Sequence, residues 1–191
     1  MKSPHGCPPP AGPKGRAMHS SMKLSLVALG ALALLPAAAT ARNVKSPFPG
    51  TITATTNYPS GGYHAAIDVS SGRCNYWGAE TAAVGSLSWS VTINTTSVVC
   101  NGNGYENANW ALHKFTNGWV FTQKHFIKTA DSRNRTCDRC QVGNEGGTGQ
   151  ATGPHAHLMW EQYGTNDTSW YSGYTTQGES VTRDETLGVI D

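Results

Sequence analysis

Apolar and polar residues alternate along several short stretches of this chain, which is the period of a β-strand with one buried face. LSWSVTI (87–93) places Leu, Trp, Val and Ile at every second position. WALHKFTNGWVFTQKHF (110–126) holds two apolar segments around Asn117-Gly118, a dipeptide suited to a tight hairpin turn. PFPGTITATTNY (47–58) and HAHLMW (155–160) predict two further strands. Because no stretch sustains a long 3.6-residue period, the pattern predicts an all-β, mainly antiparallel domain.

The first 41 residues differ in composition from the rest of the chain. MKLSLVALGALALLPAAATA (22–41) combines a lysine, an apolar run broken by Pro36, and small residues at Ala39 and Ala41. These are the features of a secretory signal peptide, and the run is too short for a comfortable membrane span. We therefore expect residues 1–41 to be a leader and signal peptide. Residues 42–191 would form a single secreted, extracellular domain with no membrane attachment.

Removal of the leader changes the net charge, which is +2 for the whole chain. Four of the 14 basic residues lie in the leader, whereas all 12 acidic residues follow it. The remaining ten basic and twelve acidic residues give a net charge of −2. Since no run of lysine or arginine remains, nucleic acid is not an expected partner. We expect the mature chain to be a monomer.

Cysteine usage agrees with an oxidising compartment. Cys7 leaves with the leader, and an even number remains: Cys74, Cys100, Cys137 and Cys140. Three pairings are possible, and proximity in sequence favours Cys74–Cys100 and Cys137–Cys140. A zinc knuckle built on CDRC would need a second ligand pair at similar spacing, and the sequence has none. Two disulfides are therefore predicted.

Histidines occupy alternate positions at the start of the predicted strand 155–160. In a strand, residues two apart project to the same face, so His155 and His157 are expected to point the same way. The other face would carry Ala156, Leu158 and Trp160, which can be buried. Imidazole is a common metal ligand and a common proton carrier, so this pair is a candidate for both kinds of chemistry.

YHAAIDVS (63–70) adds a histidine and a carboxylate, His64 and Asp68, four residues apart. In one straight strand their side chains would lie about 13 Å apart and could not share an ion. His64 must therefore lie in a bend before the strand, or a helical turn must bring the two together. Two histidines with one aspartate would make three zinc ligands and leave a fourth position open, as in catalytic zinc sites.

Three motifs together resemble the lysostaphin-type and β-lytic zinc metalloendopeptidases (LytM-like domains), which cleave bacterial peptidoglycan peptides. They are H-x-x-x-D at 64–68, the histidine that closes GWVFTQKHF (118–126), and GGTGQATGPHAHL (146–158). The resemblance spans residues 44–162. It implies a duplicated-hybrid-motif-type fold with one zinc ion per chain. The implied function is a secreted zinc metalloendopeptidase that hydrolyses glycine-containing bonds of peptidoglycan.

The resemblance also assigns residues. The implied metal ligands are His64, Asp68 and His157. The implied catalytic residues that do not bind the metal are His125, His155 and Tyr58. Tyr58 falls where some members place a phenol beside the metal, and there it would donate a hydrogen bond to the developing oxyanion. The sequence does not divide the roles of base, acid and oxyanion partner between His125 and His155.

Two positions depart from the family pattern, and one histidine lies outside it. Members commonly have glycine two residues after the first ligand, where this chain has Ala66, which could crowd the site. The usual tyrosine two residues before the catalytic histidine is Gln123 here. His113 is predicted to be a partly exposed strand residue without a functional role.

Two other functions are compatible with these motifs. A non-catalytic module that binds peptidoglycan or glycan could use exposed tryptophan and tyrosine to stack on sugars. A secreted protease could use the same hydrolytic chemistry on Gly-rich proteins. The intact set of metal-binding residues with two additional histidines argues against the binding module, because binding alone needs no open metal position.

Overall fold

Twelve β-strands form the part of the chain that the computed structural model describes, which is residues 41–190 except positions 84, 86–87, 104–106, 172 and 175. Apart from two single-turn 3-10 helices, Thr116–Gly118 and Ser169–Tyr171, these residues form no helix. The strands are β1 (Arg42–Lys45), β2 (Gly50–Ala54), β3 (Ile67–Ser70), β4 (Gly78–Glu80), β5 (Ser88–Thr92), β6 (Trp110–Lys114), β7 (Trp119–Lys124), β8 (Gln141–Asn144), β9 (Ala156–Gln162), β10 (Thr165–Asp167), β11 (Ser180–Val181) and β12 (Thr186–Ile190). The prediction of an all-β chain is confirmed.

The main sheet has eight strands in the order β11-β2-β3-β9-β7-β6-β5, with β10 paired to β9. Two small sheets, β1-β12 and β4-β8, accompany it, and the strand pairs in all three sheets are antiparallel. The central strand β9 lies between β3 and β7, so residues of three distant parts of the sequence meet on one sheet face.

Strand β9 alternates as its sequence predicts. One face is buried in the core through Ala156, Leu158 and Trp160. Trp160 stacks on Trp119 of β7 with ring centroids 4.8 Å apart. Because side chains alternate between faces, this burial directs His157 to the opposite side of the sheet.

The β6–β7 hairpin is confirmed, although its turn is longer than a two-residue turn. A 3-10 turn over Thr116–Gly118 joins the strands, and the Phe115 amide donates to the Trp119 carbonyl over 3.0 Å. Gly118 has a φ of 78°, and a Cβ there would lie 2.7 Å from the ring of Tyr163. Glycine is therefore required at this position.

Both predicted disulfides are present, Cys74–Cys100 and Cys137–Cys140, with Cα–Cα distances of 5.5 Å and 5.9 Å. Cys100 of the first disulfide lies against the glycine-rich segment before β9. A Cβ on Gly147 would lie 2.4 Å from the Cys100 carbonyl oxygen, so this close approach needs glycine.

The predicted leader and signal peptide lie outside the described residues, except for Ala41. Nowhere in the described segments is a helix long and apolar enough to cross a membrane.

His113 corrects an expectation from the sequence. It faces the core rather than solvent, with 0% exposure, between the rings of Trp89 (5.6 Å, parallel) and Phe121 (6.1 Å). Neither ring nitrogen has a hydrogen-bond partner among the described residues. Ala111 lies two residues before His113 on β6, so both side chains point to the same face of the sheet, and both are buried. Burial lowers the pKa of His113 from its ordinary value of 6.5 to about 3.

We expect the free energy of unfolding of His113→Leu to fall less at acidic pH than that of the parent protein. When the pH falls below 6.5, the unfolded chain takes up a proton at this residue before the folded chain does. The free energy of unfolding therefore decreases between pH 6.5 and about 3, at roughly 1.4 kcal/mol per pH unit. Urea unfolding at pH 7.5 and pH 5 should show the variant losing about 2 kcal/mol less than the parent protein. Parallel pH dependence of the two proteins would contradict the burial of a neutral imidazole.

Candidate metal centre

His64 and Asp68 meet because the chain bends between them. Ala65 adopts a left-handed φ of 61°, and β3 begins only at Ile67. The bend brings His64 Nε2 to 3.2 Å from Asp68 Oδ2. Of the two geometries that the four-residue spacing allows, the structure has the bend before the strand.

Strand pairing brings the third candidate ligand to the same point. Asp68 on β3 and His157 on β9 are directly opposite in the antiparallel register. His157 Nδ1 lies 3.1 Å from Asp68 Oδ1 and 3.1 Å from His64 Nε2. The two imidazole nitrogens and the Asp68 carboxylate thus form a nearly equilateral triangle, in which each carboxylate oxygen faces one imidazole. Zinc bonds of about 2.0–2.1 Å at tetrahedral angles would separate donor atoms by about 3.3 Å, so the arrangement fits a zinc ion.

A backbone contact orients the His64 ring. His64 Nδ1 lies 2.7 Å from the Thr55 carbonyl oxygen, which can only accept a hydrogen bond. Nδ1 therefore carries the proton, and in the neutral ring Nε2 presents its lone pair toward Asp68 and His157. A second hydrogen bond of this kind is the usual device that fixes the tautomer of a metal-binding histidine.

The three groups are buried and strongly coupled. Burial raises the pKa of Asp68, but the neighbouring His157 and His64 outweigh it and hold the pKa well below its usual range. Burial lowers the pKa of His157, although the Asp68 carboxylate raises it. The carboxylate is therefore ionised at neutral pH, the state in which a carboxylate binds a metal.

His125 and His155 flank this triangle without belonging to it. His125 Nδ1 lies 2.6 Å from the Thr148 carbonyl oxygen, and His155 Nδ1 lies 3.0 Å from that of Gly153. Since a carbonyl only accepts, both rings are protonated on Nδ1, and in the neutral form each Nε2 has a free lone pair. The ring centroids lie 4.6 Å apart, and His155 Nε2 is 3.6 Å from Asp68 Oδ2.

The backbone at His125 is strained, with a φ of 78° for a residue that is not glycine. Its amide donates to the Asn109 carbonyl over 2.9 Å, which helps to hold this conformation. Burial, and to a smaller extent the neighbouring His155 and His157, lower the pKa of His125 to about 3. His125 is therefore a neutral imidazole at physiological pH.

Tyr58 lies at the open side of the centre. Its ring centroid is 4.3 Å from that of His64, and 46% of the residue is exposed. Burial and the Asp68 charge raise the pKa of its phenol. The hydroxyl therefore keeps its proton and can donate a hydrogen bond to a bound molecule.

All six residues predicted from the sequence line one cavity of about 830 Å³. They are Tyr58, His64, Asp68, His125, His155 and His157. The glycine-rich segment contributes one wall through Gln150, Ala151 and Thr152. The structure thus brings together all six residues, although they are spread over positions 58 to 157 of the sequence.

The two departures from the family pattern have structural consequences. Gln123 faces the core, where its Nε2 donates to the Glu80 carbonyl (3.0 Å) and its Oε1 accepts from the Ala82 amide (3.1 Å). It therefore joins β7 to the segment that begins with β4 and does not enter the cavity. Ala66 is fully buried and is not among the residues that line the cavity.

Two overlapping groups within the described residues could hold a metal ion. One is His64, Asp68 and His157, and the other is His125, His155 and His157. Only the first includes a carboxylate, whose negative charge offsets that of a divalent cation. The second consists of three imidazoles and has no carboxylate.

Sequence reasoning missed the residue that supports His125. Asn109, directly before β6, is fully buried, and its Oδ1 accepts from the amides of Asn94 (2.9 Å) and Thr95 (3.0 Å). Its Nδ2 donates to the carbonyls of Thr95 and Phe126, each over 3.0 Å. The Asn109 amide donates to Thr148 Oγ1 over 2.9 Å. A single asparagine between loop residues gives no sequence signal of this network.

Comparisons with known proteins leave the family open. No family model and no curated protein matches the chain. A crystal structure of a SpoIIIAH and SpoIIQ complex is similar over 67% of this chain and 89% of that chain, with 13% identity and a TM-score of 0.37. A likeness at this level assigns neither fold nor function, so the functional argument depends on the chemistry of the site.

Proposed function

We propose that this chain is a secreted zinc metalloendopeptidase that hydrolyses glycine-containing peptide bonds in bacterial peptidoglycan. One observation carries the proposal: two imidazoles and one carboxylate, with N–N and N–O distances of 3.1–3.2 Å, lie beside two further histidines in one open cavity. A structural metal site uses its ligands alone and has no need of the two flanking imidazoles. The signal-peptide pattern and the two disulfides support secretion.

The ligand set suits zinc. His64 and His157 supply nitrogen and Asp68 supplies oxygen, and three protein ligands leave one of four tetrahedral positions for water or substrate. When bound, zinc would polarise a peptide carbonyl and make water a better nucleophile at neutral pH.

The protein's own side chains would move the protons. His155 Nε2, which lies close to the Asp68 carboxylate, is placed to accept a proton from the attacking water and to pass it to the leaving amine. His125 stays neutral and packs against the ring of His155, at 4.6 Å between centroids. The Tyr58 hydroxyl would donate a hydrogen bond to the oxygen of the scissile carbonyl.

The shape of the cavity supports a substrate poor in side chains. The wall formed by Gln150, Ala151 and Thr152 carries no aromatic side chain, and Tyr58, at the edge of the cavity, is 46% exposed. Glycine on the substrate would let its backbone approach the buried centre closely, because no Cβ intervenes.

Hydrolysis assays test this function directly. Zinc-loaded protein should clear suspensions of purified peptidoglycan and cleave oligoglycine peptides at neutral pH, and a chelator should stop both reactions. Binding to peptidoglycan without cleavage would favour the non-catalytic module. Cleavage of a Gly-rich protein such as elastin, with peptidoglycan left intact, would favour the alternative protease.

A further inference from the structure

A second cavity of about 530 Å³ adjoins the candidate metal centre. Lys124 lines both cavities. In the register of the main sheet, His157 on β9 is opposite Lys124 on β7, which is opposite Trp110 on β6. The next row on the same face is Met159, Thr122 and Leu112. The second cavity therefore continues the sheet face that carries the metal candidates.

The floor of this cavity is apolar. It is formed by the half-buried side chains of Trp110, Leu112, Val120 and Met159. The solvent-facing side of an antiparallel sheet normally carries polar residues. An apolar patch in a concave position beside reactive groups is the usual form of a ligand site.

The polar groups lie at the edges of the floor. Lys124 stands at the junction with the metal centre, and Glu161 lies four residues beyond His157 on the same strand. The Lys124 ammonium has no hydrogen-bond or ion-pair partner among the residues that the structure describes, so it is available to a substrate carbonyl or carboxylate. The exposed amides of Asn94 and Asn107 form the opposite rim.

We propose that the second cavity binds an aliphatic side chain of the substrate peptide, about two residues from the bond that is cleaved. The proposal rests on the proposed peptidase function. From His157 to Met159 is two strand residues, about 6.6 Å, and two residues of an extended peptide cover the same distance. A chain lying along β7 and β9 with its scissile bond at the metal centre therefore places that side chain over Met159 and Leu112.

The chemistry of the floor favours an aliphatic group over a sugar. A saccharide ring would stack on an aromatic side chain, and of the four floor residues Trp110 alone is aromatic, whereas Leu112, Val120 and Met159 are aliphatic. Burying one additional aliphatic group distinguishes substrates by roughly 10–200-fold. The glycine at the metal centre and the aliphatic residue beyond it together define the specificity.

Matched peptides test the subsite. Two series of peptides share one glycine-containing scissile bond. In the first series leucine or aspartate lies two positions before this bond, and in the second series it lies two positions after it. In one of the two series, the full-length zinc-loaded protein is expected to cleave the leucine peptide with a kcat/KM at least ~10-fold higher than that for the aspartate peptide. Met159→Lys should bring this ratio close to one, and Leu112→Asp should do the same. Val189→Lys, an equivalent change at a 44% exposed position of β12, should leave it unchanged.

The outcomes separate the subsite from the peptidase. Cleavage with equal rates for both peptides, or a ratio that Met159→Lys leaves unchanged, overturns the subsite while the peptidase stands. If neither peptide is cleaved, amide chemical shifts are measured with the leucine peptide as probe. Shifts at Leu112, Val120 and Met159 would support the subsite and refute hydrolysis, whereas unperturbed amides would overturn both. If an N-acetylglucosamine oligomer shifts the same amides as much as the leucine peptide does, the floor binds a glycan and the subsite is overturned.

Discussion

His157→Ala is expected to abolish zinc binding and hydrolysis together. His157 Nδ1 is 3.1 Å from both of the other candidate donors, so its loss leaves one imidazole and one carboxylate for the ion. Changes to residues that only orient a ligand weaken metal affinity by about 10–100-fold, and removal of a ligand should exceed this. Zinc content of the purified variant and its rate on oligoglycine peptides measure the two effects.

His155→Ala is the matched control, because the two histidines are separated by a single residue. His155 lies beside the donor triangle, so this variant should keep its zinc while kcat falls by about 100- to 10,000-fold. Equal zinc loss in both variants would contradict the assignment of His157 as a metal ligand and of His155 as a residue that does not bind the metal. Zinc loss in His125→Ala as well would indicate that the group of three histidines holds the ion.

Asn109→Ala is expected to lower kcat at least ~10-fold while zinc remains bound, since misplacement of catalytic groups by about 1 Å carries costs of this size. Asn109 contacts neither the cavity nor the donor triangle; it acts as a positioning residue. Its amide side chain makes four hydrogen bonds, and its carbonyl accepts from the strained His125. Removal of the side chain breaks these four hydrogen bonds and should also cost roughly 1–3 kcal/mol of stability.

The control for this variant is Asn43→Ala. Asn43 is exposed on β1 and lines neither cavity, so its loss should change neither kcat nor stability appreciably. The decisive measurement is the separation of kcat from KM in Asn109→Ala at full zinc occupancy. If the purified, folded variant loses stability but keeps the parent kcat, Asn109 has a purely structural role. If Asn109→Ala does not fold, the near-isosteric Asn109→Asp, which keeps Oδ1 but loses both donors, replaces it.

The local geometry of the site was predictable where one element contains it. Alternation alone places His155 and His157 on one face, because Leu158 and Trp160 must be buried on the other. Distance arguments excluded a straight strand between His64 and Asp68, and the bend at Ala65 confirms that exclusion. Proximity in sequence was sufficient for both disulfides, since short loops close at a small entropic cost.

The sequence by itself determined the all-β class, the main strands and the chemical types in the candidate site, because each depends on the period of a few neighbouring residues. Only the tertiary structure decided which groups meet. Asp68 faces His157 across 89 positions because β3 and β9 pair in one register, and a shift by one residue would turn His157 into the core. The same long-range packing buried His113 and made Asn109 the support of His125. Neither outcome has a local signal, because burial depends on what the rest of the chain places against a residue.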